Sequence, residues 1–169
     1  MSSEKQYTDL YEASRQMIFD HAAPVMNAVR DKAFDDFRTQ GFPSKKAERY
    51  KYTDIDQLFA PDYGLNINRL NIPVNPYDAF TCDVPNLSTS LYFVVNDQFY
   101  KKVLPKASLP EGVVVGSLKD AAEQNPQLIE RYYAHLAHTD KDAVTALNTM
   151  LAQDGLFIYV PKGVKVDRA

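Results

Sequence analysis

Cysteine is nearly missing from this chain: Cys82 stands alone among 169 residues, so no disulfide can form within it. A reducing compartment, the cytoplasm, is the expected setting. Long apolar runs are also missing. None approaches the roughly 20 residues that a bilayer-crossing helix needs. The opening Met1 to Asp9 has no basic stretch followed by an apolar one, so no secretory signal is expected. Excess positive charge is a third absence. Nineteen Lys and Arg stand against 22 Asp and Glu, a formal net charge of −3, which gives no global attraction to nucleic acid or to an anionic membrane.

Several chemical signatures are absent as well. A phosphate-binding loop needs a Gly-rich turn followed by Lys and then Ser or Thr. Here Gly112 and Gly116 are followed by Ser117-Leu118-Lys119, and ATP hydrolysis is not expected. His135 and His138 sit three apart with Asp140 and Asp142 close behind, but no His-Glu-x-x-His or Glu-x-x-His pattern surrounds them. Zinc needs three or four ligands in fixed geometry, and helix-end histidines facing water are the expectation. One cysteine cannot supply the usual four thiolates of an iron–sulfur site, so Cys82 is expected to be a small, half-buried loop residue. No Gly-x-Ser-x-Gly elbow occurs. Triads assemble in space rather than in sequence, which leaves an unrecognised small hydrolase as an alternative. No catalytic, cofactor-binding or metal-binding residue is assigned, and the chain is expected not to be an enzyme.

What is present is ordinary globular material, 45% apolar and 24% charged, enough for a sizeable core. Residues 3–40 read as two helices. Leu10, Tyr11, Met17 and Ile18 mark the first. A break falls near His21, and Pro24 suits the first turn of the second. Val25, Met26, Val29, Ala33, Phe34 and Phe37 give that helix one apolar stripe, and Gly41 stops it. Residues 41–62 read as an extended basic and aromatic segment, with Thr53 or Asp54 capping a short helical turn toward Leu58 and Phe59. Lys45, Lys46, Arg49 and Lys51, interleaved with Tyr50 and Tyr52, make Lys45–Tyr52 the best nucleic-acid signal available. The acidic total charge argues against that alternative.

Residues 61–90 are rich in Pro and Asn and are expected to cross the surface. Strand-like runs follow at 91–95 and 98–103 around the two-residue turn Asn96-Asp97, and again at 112–115. Ser117 caps a helix running to about Glu123, Pro126 opens another over 127–137, and residues 141–152 form a third. The chain closes on strand-like pieces around a Pro161-Lys162-Gly163 corner. An apolar strand reaching Val166 has few later strands to pair with, and uncovered edges are a liability. A truncated, longer protein is therefore expected, the alternative being a strand that joins those of 91–115.

Two stretches are more specific. Phe42-Pro43-Ser44-Lys45-Lys46-Ala47-Glu48-Arg49-Tyr50-Lys51-Tyr52-Thr53-Asp54-Ile55 resembles a segment near the start of SufD proteins, where a Trp-Lys-Tyr-Thr-Asp-Leu core follows N-terminal helices. Lys51, Tyr52, Thr53 and Asp54 match it directly, while Tyr50 replaces Trp and Ile55 replaces Leu. Ala146-Leu147-Asn148-Thr149, followed by Asp154-Gly155-Leu156-Phe157-Ile158-Tyr159-Val160-Pro161-Lys162-Gly163-Val164, is similar to the entry into the central domain shared by SufB and SufD proteins.

That resemblance implies an α+β fold. N-terminal helices (1–40) and a small mixed α/β region with a short sheet (41–152) would lead into the first strands of a truncated right-handed parallel β-helix (153–169). It implies a scaffold subunit of the SUF iron–sulfur cluster assembly complex, with a SufB-like sister subunit and the SufC ATPase as partners. Contacts with them and cluster-handling residues would lie beyond this segment. The cluster would be transient in the full complex, with no cofactor, nucleic acid or membrane bound here. Motif residues Lys51, Tyr52, Thr53, Asp54, Asn148, Asp154, Gly155, Tyr159, Pro161 and Gly163 are expected to be structural. Lys51, Tyr52 and Asp54 would fix the extended segment, Asp154-Gly155 would turn the chain out of the preceding helix, and Pro161 and Gly163 would form a corner.

Overall fold

A computed structural model describes residues 3–65, 67–71, 73–80, 90–105 and 108–167. Cys82 lies outside the described residues.

Helix α1 (Ser3–His21) buries Tyr7, Tyr11 and Ile18, with Leu10 packed beside them. Met17, expected on the same stripe, is exposed. Lys5 and Asp9, one turn apart, pair on the water side at 2.7 Å. The expected second helix is divided into α2 (Pro24–Asn27) and α3 (Arg30–Gln40). Asn27 supplies the reason. Its side-chain amide donates to Phe19 O at 2.9 Å, and its oxygen accepts from Arg30 Nε at 2.8 Å. Such side-chain bonds compete with the helical ladder. Gly41 ends α3 with φ of 61°, its N–H donating to Phe37 O at 2.9 Å.

The segment after Gly41 is not extended as expected. It makes a 3-10 turn at Glu48–Tyr50 and then helix α4 (Ile55–Phe59). A short helix α5 (Pro76–Ala79) interrupts the surface stretch. The hairpin is where Asn96-Asp97 placed it, but short. Strand β1 (Val94–Val95) pairs antiparallel with β2 (Gln98–Phe99), and Asn96 and Asp97 have φ of 46° and 59°. Positive φ at both central residues matches the twist of the flanking strands.

Strand β3 (Val114–Ser117) begins two residues later than expected, and Ser117 accepts from Asp120 N at the start of α6 (Leu118–Gln124). Helix α7 (Pro126–Tyr132) stops well short of residue 137. Tyr133 leaves helical geometry to pack into a core cluster, and Ala134 then turns through a φ of 60°. His135 and His138 therefore share no helix. After a 3-10 turn at Thr139–Lys141 comes α8 (Ala143–Leu151), capped by Asp142, whose carboxylate accepts from Val144 N.

The last strand, β4 (Leu156–Tyr159), pairs antiparallel with β3, from Val114↔Tyr159 to Ser117↔Leu156. It joins β3 and not the β1–β2 hairpin. Both sheets among the described residues are two-stranded and antiparallel. Phe157 and Tyr159 face one side with Val114, while Leu156, Ile158 and Val160 face the other with Val113 and Val115, the alternation expected of a strand.

Two cores result. The larger joins Tyr7, Tyr11 and Ile18 of α1, Ala33 and Phe37 of α3, Ala143, Ala146, Leu147 and Met150 of α8, and Ile67 from the loop between. It thus draws on both the 1–40 helices and the 143–151 helix. Phe42 stacks on Phe59 at 5.1 Å, and Phe37 meets Phe42 edge-on at 5.2 Å. The smaller core sets Ala22, Ala23 and Met26 against Ala121, Ala122 and Ile129. Arg30, 0% exposed, lies in the interior. Its Nη1 donates to Thr149 O and Met150 O at 3.3 and 3.0 Å, satisfying carbonyls at the end of α8.

Candidate functional site

The first motif is a joint between α4 and α8. Asp54 caps α4 by accepting from Gln57 N at 3.0 Å, and it pairs with Lys45 at 3.0 Å. These contacts, the cap bond first, hold its carboxyl below the usual range. Thr53 N donates to Tyr50 O at 2.9 Å. Lys51 stands 4.0 Å from Glu48 and 5.6 Å above the Tyr52 ring. Tyr52 is 92% exposed, so it does not fasten the segment to the body. That role falls to its neighbours. Tyr50 Oη donates to Asp142 Oδ1 at 2.8 Å, and Arg49 pairs with Asp142 Oδ2 at 2.8 Å. Burial and then the Asp142 bond push the Tyr50 hydroxyl's pKa up. Asp142 is also the α8 cap, and that capping position before an apolar stretch was the available signal for it.

Three of the four cations of the basic cluster thereby face carboxylates. Lys45 meets Asp54, Arg49 meets Asp142 and Lys51 approaches Glu48.

The second motif forms a deeper joint. Asp154 was expected to turn the chain out of α8, but α8 has ended at Leu151 and Asp154 is buried. Its oxygens accept from Ser117 Oγ at 2.7 Å, Lys119 N at 3.0 Å and Phe99 N at 3.0 Å. Arg69 Nη2 approaches it at 3.7 Å. One carboxylate thus gathers the hairpin, the β3–α6 corner and the residue-69 loop, which is how a buried charge is retained.

Asp97, in the hairpin turn, is the second carboxylate of this joint. It accepts from Gln153 N at 2.7 Å, its carbonyl accepts from Arg69 Nη1 at 2.5 Å, and Nη1 lies 3.4 Å from its Oδ2. Burial above all raises its pKa, with Asp154 adding to the rise and Arg69 opposing it. Residues 69, 97 and 154 are far apart in the chain, so no local pattern announced their meeting.

The other motif residues lie along α8 and along and beyond β4. Gly155 O accepts from Leu118 N at 2.9 Å. Asn148 is exposed on α8 and lines a cavity of about 350 Å³, together with Tyr7, Phe59, Leu147, Leu151 and Ile67, with Asp97 and Gln153 at its polar end. Tyr159 is partly exposed opposite Val114. Pro161 and Gly163 do form a turn, in which Val164 N donates to Pro161 O at 3.1 Å and Gly163 has φ of 83°. A β-carbon on Gly112 would lie 2.9 Å from Pro161 Cγ, so this corner sits directly on the Gly112 backbone. A second cavity, of about 560 Å³, lies on the Leu156–Ile158–Val160 face of the β3–β4 sheet.

Among the described residues, no three His, Cys, Asp or Glu side chains are grouped to hold a metal ion, and no helix is long and apolar enough to cross a membrane. Asp54 caps a helix, and Asp154 fastens segments to one another.

The SufBD protein N-terminal region family matches residues 1–169, the whole chain. The chain belongs to the SufBD family. An iron-sulfur cluster assembly SufBD family protein of Synechocystis sp. is 34% identical over 55 residues, which span 32% of this chain and 12% of that protein. A SufBD relative from Trieres chinensis is 28% identical over 145 residues, 79% of this chain and 30% of the relative. A chloroplastic SufBD relative from Arabidopsis thaliana is 32% identical over 66 residues, 39% of this chain and 11% of the relative. The matched parts therefore span less than a third of the length of these relatives. No solved structure gives a significant match.

Proposed function

We propose that this chain is the N-terminal region of a SufD-like scaffold subunit in an iron–sulfur cluster assembly complex, serving folding and docking rather than catalysis. The observation that carries this is the family match across residues 1–169, joined to relatives named for iron–sulfur cluster assembly. Lys51-Tyr52-Thr53-Asp54 after the N-terminal helices favours the SufD-like over the SufB-like assignment. The partners in this reading are a SufB-like sister subunit and a SufC ATPase, engaged mainly through later segments, and the setting is the cytoplasm. The cluster is cargo of the whole complex and not a resident group of this region. Strand β4 and its Pro161–Gly163 corner lead toward a parallel β-helix.

The structural work of the motif residues supports this division of labour. Asp54 caps α4, and Asp154 gathers three segments beneath the β3–β4 sheet. The test is co-purification of the longer natural chain with a sister subunit and an ATPase. The reading expects a stable complex of three kinds of subunit. A longer chain that stays monomeric and ignores both partners contradicts it.

A further inference from the structure

We propose that residues 67–71 and the β1–β2 hairpin form a cover over the apolar cavity, latched to the helical body by Arg69, Asp97 and Asp154, and able to open while the helices stay folded. The attachments of this unit to the body are chiefly polar. Gln153 N donates to Asp97, Phe99 N donates to Asp154, and Ile67 O stands 3.2 Å from His21 Nδ1. Within the unit, Arg69 donates to the Asp97 carbonyl. Ile67 and Phe99 are the apolar side chains it buries. Ile67 is the one side chain this unit gives to the larger core, to which α1 gives three and α8 four.

Segments with few buried apolar contacts open at lower free energy than the core to which they are attached. The backbone adds to this at Arg69, whose φ of 54° is uncommon for a long side chain and is held by its bond to the Asp97 carbonyl. A single guanidinium serves both carboxylates, so the latch has one weak point. Ile67 and Asp97 line the cavity that also touches Leu147 and Leu151 of α8. Opening the cover widens that cavity toward solvent.

Residue-resolved hydrogen exchange on the chain tests this, because the Gln153 and Phe99 amides are themselves latch bonds. The expected result is exchange at these two amides about tenfold or more faster than at Phe37 and Met150, with a weaker denaturant dependence. Arg69→Gln is expected to raise the two latch rates by a further tenfold or so while leaving Phe37 and Met150 within about twofold. Adding Asp97→Asn, which removes one of the two uncompensated carboxylates yet keeps an acceptor for Gln153 N, is expected to recover part of that loss. If the wild-type latch amides exchange at the rate and denaturant dependence of Phe37 and Met150, the cover moves only with the whole fold and the proposal is overturned. This wild-type comparison decides the matter even if Arg69→Gln does not fold. Unchanged latch rates in a folded Arg69→Gln chain overturn it equally.

Discussion

The helical body and the sheet side of this molecule place their polar and apolar groups in opposite ways. In α1, α3 and α8 the apolar stripes turn inward, with Arg30 the buried charged exception, and ion pairs such as Lys5–Asp9 and Arg15–Asp31 stay in water. Around β3 and β4 the buried groups include Ser117 and Asp154, while Leu156, Ile158 and Val160 remain substantially exposed. The body is thus held by burial of apolar area, and the sheet side by a hydrogen-bonded carboxylate. The two should respond differently to the same perturbation.

The largest effect is expected in the body. Phe37→Ala removes a fully buried ring from the larger core and should cost about 3–5 kcal/mol in urea unfolding. Asp154→Ala should cost about 3 kcal/mol, because it strands Ser117, two backbone N–H groups and Arg69 without their acceptor. A loss below about 1 kcal/mol would deny that this carboxylate holds the sheet side. Tyr50→Phe removes only the hydroxyl bond to Asp142 and should cost roughly 1 kcal/mol. Tyr52→Ala, by contrast, should stay within about 0.5 kcal/mol of wild type, because the ring is exposed.

Acid sharpens the comparison, since the two regions carry shifts of opposite sign. Asp31 in the body is held below its usual 3.8, first by the Arg15 hydrogen bond and also by Tyr11. It contributes stability that is present above 3.8 and lost as pH falls through its lowered value. Asp97 on the sheet side is raised above 3.8, chiefly by burial. Its ionised form costs stability at neutral pH, and that cost is relieved as pH falls through the raised value and is gone below 3.8. Asp97→Asn is therefore expected to be neutral to stabilising at pH 7, with its advantage fading on acidification. Unfolding curves at several pH values check this, and an advantage that grows toward acid would reverse the assignment.

Local chemistry made much of the fold legible. Asn96-Asp97 announced the hairpin, Gly41 the end of α3, and Ser117 and Asp54 the caps of α6 and α4, because each acts within a few residues of its own position. Interactions across the chain left no such mark. Nothing in the sequence around Arg30 marks it, yet it is fully buried against the end of α8. Tyr133 looked like a continuation of α7 until its burial in the smaller core drew it out of the helix. At the candidate site, Asp54 kept its expected role, whereas fastening passed from Tyr52 to Tyr50 and Arg49. Asp154 was recognisable as a motif residue, but its partners Phe99, Ser117 and Arg69 were beyond the reach of any local pattern.

On the proposed function, the motif residues build and join a scaffold and take no part in the chemistry of cluster formation. The most direct test is cluster assembly by the reconstituted complex of the longer chain carrying Asp154→Asn or Asp54→Ala, with the amount of assembled complex measured alongside. A lower yield of complex and an unchanged rate of cluster formation per assembled complex are expected. A normal yield with a reduced rate per complex would contradict it.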